Sequence, residues 1–141
     1  MAKVLVVDDE SSLRMALGEI IKTWNHQPLL AETVGEAMQI LTDDPPDIML
    51  TDVFLPDGSG IDLMKKVKED HSHIPVVILT GHGSIEDAVR AIHMGAENYL
   101  TKPVEPPRLK LILDQLVEKR GMEEEMKSLR KQLKKVGSMG G

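Results

Sequence analysis

Asp8, Asp9 and Glu10 follow directly on the apolar run Val4–Val7. Adjacent carboxylates at the end of a buried strand repel one another unless positive charge sits between them. Further along, the apolar run 47–51 leads into Asp52, the run 76–80 ends on Thr80, and the run 98–101 stops just before Lys102. Carboxylates clustered in this way suit a hard divalent cation, and Mg²⁺ typically takes one or two of them and keeps several waters. Lys102 could pair with Asp52 or with an anion carried on it, and Thr80 offers a short hydroxyl donor. Each residue taken singly also suits a structural role; Asp9, ahead of Glu10, Ser11 and Ser12, could cap the next helix. Their joint arrival in one place is harder to explain that way.

The elements that carry them decide whether they meet. The runs 4–7, 47–51 and 76–80 are continuous rather than alternating, as in strands buried on both faces, and shorter runs at 28–31 and 98–101 complete five. Helical stripes lie between them. Leu13, Leu17, Ile20, Ile21 and Trp24 share one face; Ala37, Ile40 and Leu41 continue a helix that Thr33 and Glu36 can open as a capping box. Ile61, Met64 and Val67 form a third stripe. Ile85, Ala88, Val89 and Ile92 form a fourth, opened by Ser84 with Asp87 three residues on. Leu109, Ile112, Leu113 and Leu116 form a fifth after Pro106 and Pro107. Alternating strands and helices predict an α/β, flavodoxin-like (βα)5 doubly wound parallel sheet of order 2-1-3-4-5 with an extended C-terminal helix. In such sheets ligands bind at the carboxyl ends of the strands. Strands 1 and 3 are then neighbours, so Asp8, Asp9 and Asp52 share one pocket.

After Val117 the composition turns to Glu, Lys, Arg, Met and Leu. Met122, Met126, Leu129, Leu133 and Val136 are spaced 4, 3, 4 and 3, a heptad-like seam. Both a solvated helix and a dimerising linker fit two heptads. The predicted organisation is one domain over 1–120, a helical, coiled-coil-like linker over 121–136 and a flexible tail over 137–141. Of the 141 residues 41% are hydrophobic and 2% aromatic, so the core is aliphatic and Met-filled. The absence of cysteine excludes disulfides, thiolate metal sites and a Cys nucleophile. A net charge of −6 argues against nucleic-acid binding by this chain itself. No apolar stretch approaches a membrane span or a signal peptide, so a cytoplasmic protein with no membrane partner is expected.

Four stretches together, VLVVDDE (4–10), Asp52 to Gly60 (DVFLPDGSG), LTGHG (79–83) and GAENYLTKP (95–103), resemble the response-regulator receiver domain of two-component signalling. The likeness runs from residue 3 to about 117, in order and with the expected gaps. It implies that Asp52 accepts a phosphoryl group from a sensor histidine kinase. Asp9 would be a direct Mg²⁺ ligand, Asp8 would act mainly through bound water, and Asp52 and the Phe54 main-chain carbonyl would complete the metal site. Thr80 and Lys102 would hold phosphoryl oxygens, with Thr80 and Tyr99 as switch residues and a cis peptide at Lys102-Pro103. The chain would be a phosphoacceptor that assists its own phosphorylation and dephosphorylation rather than an enzyme. His82 and Phe54 would flank the site and tune access of water.

Two other classes fit less well. Phosphotransferases and phosphatases with an Asp nucleophile usually carry a second carboxylate two residues on, where Phe54 stands. A nucleotide- or flavin-binding domain of similar topology would need a glycine-rich phosphate loop, and the turn after strand 1 is Asp-Asp-Glu-Ser-Ser. Residues 81–109 resemble the receivers of sigma-54-dependent, NtrC-like transcription activators. That implies a homodimer through helices 4 and 5 and the linker, and DNA contact only through an output domain absent from these residues. A stand-alone switch acting by protein–protein binding is the alternative.

Overall fold

The computed structural model describes residues 1–81 and 85–140, with side-chain surroundings through residue 134. The strands, in chain order, are β1 (Lys3–Val7), β2 (Gln27–Ala31), β3 (Ile48–Asp52), β4 (Phe54–Leu55), β5 (Gly58–Ser59), β6 (Val76–Thr80) and β7 (Asn98–Thr101). The helices are α1 (Ser11–Thr23), α2 (Val34–Asp43), α3 (Gly60–Asp70), α4 (Ile85–His93) and α5 (Pro106–Gly140). Five strands form one parallel sheet, β2-β1-β3-β6-β7. This is the predicted order once β4 and β5 are set apart as a two-stranded antiparallel hairpin. The hairpin has no counterpart in the sequence pattern, because two-residue strands carry no periodicity to detect.

The central strands explain their own composition. Every residue of β3 and β6 is buried, and in β1 only Lys3 is not. Leu5, Val7, Met49 and Ile78 join one core with Ala37, Leu41, Ile61, Met64, Val67 and Ala91 from α2, α3 and α4. Their alternate neighbours point to the opposite face of the sheet, and α1 packs on β1 and β2 through buried Leu17 and Ile21. Burying each such aliphatic side chain contributes about 1.5–3 kcal/mol relative to exposure.

Helix boundaries show where local signals held and where they did not. Thr33 Oγ1 accepts the N–H of Glu36 at 3.1 Å, as a capping box requires, but the Glu36 carboxylate takes the N–H of Glu32 rather than that of Thr33. Asp9 does not cap α1: the N-cap is Glu10, with no side-chain bond, and Asp8 Oδ1 accepts the Glu10 N–H at 2.9 Å. The expected Ser84 opening of α4 lies outside the described residues. In α4 the predicted stripe is displaced. Ala88 and Ala91 are buried, whereas Ile85, Val89 and Ile92 are 64%, 48% and 40% exposed. Two alanines let the helix approach closely and turn the larger side chains away.

The chain divides into two compact units, Met1–Leu109 and Lys110–Gly141. α5 begins in the first and makes up most of the second. It runs through Gly121 and on to Gly140, where a helix ending at 136 was expected. Single glycines cost a helix only about 1 kcal/mol each, and no proline follows to stop it. Ile112, Leu113 and Leu116 are buried, while Met122, Met126, Leu129 and Leu133 are exposed.

Candidate functional site

The sheet register brings the polar strand ends level. Val7 pairs with Thr51, Asp52 with Leu79, and Thr80 with Thr101. Asp8 therefore emerges beside Asp52, and Lys102 returns to the same edge, its main-chain N–H bonded to the Thr80 carbonyl at 2.7 Å. The Lys102-Pro103 peptide is cis.

The Lys102 ammonium bridges the two buried carboxylates. Its Nζ lies 2.8 Å from Asp8 Oδ2 and 2.9 Å from Asp52 Oδ2. The Asp8 side chain is fully buried, and its Oδ2 has no aligned hydrogen bond. Asp9 is exposed, and Asp8, Asp9 and Asp52 each present an oxygen within 4.8 Å of the others. This donor set fits a hard divalent cation: all oxygen, negatively charged and, at Asp8 and Asp52, buried. Phe54 N–H points back at Asp52 Oδ1 at 3.4 Å, and the Phe54 side chain is 71% exposed.

For Lys102, burial is the largest single influence and acts to lower its pKa. The close contacts with Asp8 and Asp52 together outweigh it and hold the ammonium above the ordinary 10.5. A group raised on folding contributes stability that is present below its unfolded pKa and lost as pH rises through the folded one. Lys102→Met, leaving Asp8 buried without its cation, is therefore expected to unfold at lower urea than wild type at neutral pH. The gap should begin to close only above pH 10.5, which urea titrations across an alkaline series will show.

Thr80 is buried at the end of β6, and Gly81 after it lines the cleft of about 850 Å³ that holds Asp9, Asp52, Phe54 and Lys102. Tyr99 stands apart from this group. It is half-buried in β7 and lines a smaller hollow with Leu100, Thr101, Pro103, Glu105 and Arg108. His82 lies outside the described residues.

Several residues of the site escaped sequence reasoning. Asp87 of α4 faces the cleft, as do Leu13 of α1 and its N-cap Glu10. Arg14 donates to the Asp8 carbonyl at 2.8 Å and so holds the acidic turn. Asp57, at the tip of the β4–β5 hairpin, accepts the N–H groups of Val34 and Gly35 at 2.8 and 3.0 Å. The hydrogen bonds from Gly35 and Val34 hold its carboxyl below the usual carboxylate range. Only a helix start at Val34 and an acidic residue at a turn were visible in the sequence, with nothing to join them.

Comparison with known proteins agrees with this arrangement. The response regulator receiver domain family model matches residues 4–114. The response regulator protein PilR of Pseudomonas aeruginosa is 40% identical over 108 residues, 77% of this chain and 24% of PilR. The phosphate regulon transcriptional regulatory protein PhoB of Escherichia coli is 39% identical over 109 residues, 76% of this chain and 48% of PhoB. The chain thus spans about a quarter to a half of these relatives. Among solved structures, NtrX from Brucella abortus, crystallised with ADP, superimposes with a TM-score of 0.85 at 33% identity, over 92% of this chain and 29% of NtrX. A response regulator receiver domain protein from Clostridium thermocellum superimposes at 0.82 and 31% identity, over 86% of this chain and 98% of that one. A match across most of the first compact unit, on a parallel sheet whose carboxyl edge gathers Asp8, Asp9, Asp52 and Lys102, places the chain in the response regulator receiver domain family.

Proposed function

We propose that this chain is a phosphorylation-controlled switch in which Asp52 accepts a phosphoryl group from a sensor histidine kinase. The observation that carries this reading is the Lys102 ammonium set between buried Asp8 and Asp52, with Asp9 alongside. A carboxylate is a poor nucleophile toward an anionic phosphoryl donor unless charge is screened, so catalysis here is mostly positioning and electrostatics. The Asp52 oxygen attacks phosphorus; a P–O bond forms as the P–N bond to the kinase imidazole breaks, and the imidazole leaves with the bonding pair. Asp8, Asp9, Asp52 and the Phe54 carbonyl would hold Mg²⁺, which when bound supplies positive charge beside the transferring group. Lys102 supplies the protein's own cation and passes from Asp52 to a phosphoryl oxygen. Thr80 donates its hydroxyl to another.

Phosphorylation adds roughly −1.5 to −2 charges and three acceptor oxygens at the edge of β3 and β6. Movement of Thr80 toward them opens space into which Tyr99 turns, which alters the surface around α4 and β7. The exposed Ile85, Val89 and Ile92 of α4 and the exposed seam of α5 are two apolar surfaces on which a homodimer can form. The domain organisation proposed is a receiver over 1–120 and a linker over 121–136. The output, in the cytoplasm, is transcriptional control through a further domain of the sigma-54 activator kind that carries the DNA contact. No helix among the described residues is long and apolar enough to cross a membrane.

Sedimentation equilibrium with Mg²⁺, with and without the phosphoryl mimic beryllofluoride, tests the switch. A change of mass in the wild type and none in Asp52→Asn is expected. The same experiment on a chain cut after Glu118 is expected to show a weaker dimer, whereas an unchanged mass would make the Met122–Leu133 seam a solvated face. A mass insensitive to beryllofluoride in both uncut chains would place the signal outside assembly.

A further inference from the structure

We infer that Asp57 is a positioning residue for the acidic site: it fastens the hairpin that carries Phe54 to the N-terminus of α2, and so holds the Phe54 backbone beside Asp52. The inference rests on the Mg²⁺-assisted site described under Proposed function. Asp57 lies five residues beyond Asp52 and on the surface, where an acidic turn residue would ordinarily be solvated. Instead both of its oxygens are used, one on Val34 N–H and one on Gly35 N–H. These are two of the donors that the first turn of a helix leaves without partners. Thr33 already serves a third, that of Glu36, so the α2 terminus is capped twice, once from within its own segment and once across 22 to 23 residues.

The geometry between Asp57 and the site is short and stiff. Phe54 pairs with Ser59 and Leu55 with Gly58 across the hairpin, leaving Pro56 and Asp57 as its turn. Leu55 is buried in the core that Val34 also packs against. Gly58 sits so close to α2 that a Cβ there would lie 3.3 Å from Val34 Cγ2. At the other end, Gly60 N–H bonds the Val53 carbonyl at 2.7 Å, and Phe54 N–H faces Asp52 Oδ1. A rotation of the hairpin away from α2 would therefore carry the Phe54 carbonyl away from the Asp52 carboxylate, which β3 and Lys102 hold in place. Residues that orient the primary ligands of a metal commonly change its affinity by 10- to 100-fold when removed.

The test compares Asp57→Ala with Thr33→Ala in the full chain, by calorimetric titration of Mg²⁺ and by hydrogen exchange of residues 54–59 in metal-free protein. Both variants lose a cap of the same helix, but only the first releases the hairpin. Asp57→Ala is expected to bind Mg²⁺ roughly tenfold more weakly and to exchange faster at 54–59, with Thr33→Ala near wild type in both. Asp57→Asn, which keeps an acceptor oxygen, should fall between, and it stands in should Asp57→Ala fail to fold. Wild-type Mg²⁺ affinity in the Asp57 variants, or equal weakening in Thr33→Ala, would overturn the inference and reduce Asp57 to a helix cap. A wild-type chain that bound no Mg²⁺, or an Asp52→Asn chain that bound it undiminished, would overturn the site reading itself and the inference with it.

Discussion

Asp52→Asn is expected to form no acyl phosphate, a loss of more than about 10³-fold, since removal of one stabilising donor from a polar active site already costs about 10²–10³-fold. The substitution keeps the shape of the side chain and one carbonyl oxygen, but it removes the anionic oxygen that would attack phosphorus. It also removes half of the charge that Lys102 bridges, leaving the ammonium with Asp8 at 2.8 Å. The fold should survive, because asparagine matches aspartate in size and the rest of β3, Ile48 to Thr51, stays buried in the sheet. Incubation with a small phosphodonor and Mg²⁺, read by intact mass, separates the outcomes. A mass gain of one phosphoryl group in the wild type alone is expected. Equal labelling of the variant would move the acceptor elsewhere and sink the site assignment.

Gly60→Ala is expected to lower stability by about 3 kcal/mol or more, a fall in Tm of roughly 10 °C. Gly60 opens α3 directly after the N-cap Ser59, whose hydroxyl oxygen accepts the Ile61 N–H at 3.1 Å. A Cβ at this position would lie 1.8 Å from the Asp52 carbonyl oxygen and 2.9 Å from both the Asp52 carbonyl carbon and Thr51 Oγ1. Two of these atoms are backbone of the strand that bears the proposed phosphoacceptor, so relief requires β3 or the hairpin to shift. The variant should therefore lose phosphoryl acceptance together with stability. Gly121→Ala is the internal control. It is a helical glycine with nothing within 4 Å of the added carbon, and alanine there should stabilise α5 by about 0.5–1 kcal/mol. Thermal unfolding of the two variants should move in opposite directions. A Tm for Gly60→Ala within a degree or two of wild type would show that the strand end yields easily.

Much of the architecture follows from the one-dimensional pattern. Continuous aliphatic runs at 4–7, 47–51 and 76–80 can be satisfied only by strands covered on both faces, and three-to-four spacing between them demands crossover helices. From these the parallel sheet and its strand order follow, and with the order comes the gathering of Asp8, Asp9, Asp52 and Lys102 at one edge. The capping role of Thr33 was legible for the same reason, because it acts on a donor only three residues away.

What the sequence could not show are the interactions that depend on where two distant segments pass each other. Of the predicted α4 stripe Ala88 is buried but Ile85, Val89 and Ile92 are not, because periodicity finds an apolar face but does not say that Ala91 takes their place beside Ala88. Asp9 has the type and place of a cap for α1, yet no side chain caps that helix, and Asp8 accepts the N–H of the N-cap residue Glu10. The hairpin after Asp52 was invisible because its strands are only one period long, too short to repeat. The tie from Asp57 to Val34 and Gly35 was invisible because a carboxylate at a turn carries no mark of its partner. The close approach at Gly60 belongs to the same class: a glycine in the sequence does not reveal what stands 1.8 Å from its missing side chain. Composition and period therefore determined the strands, the order of the sheet and the acidic edge. Only the tertiary structure decided the ties that cross the fold, Lys102 to Asp8 and Asp52 and Asp57 to Val34 and Gly35, because those choices are made by distances between segments more than 20 residues apart.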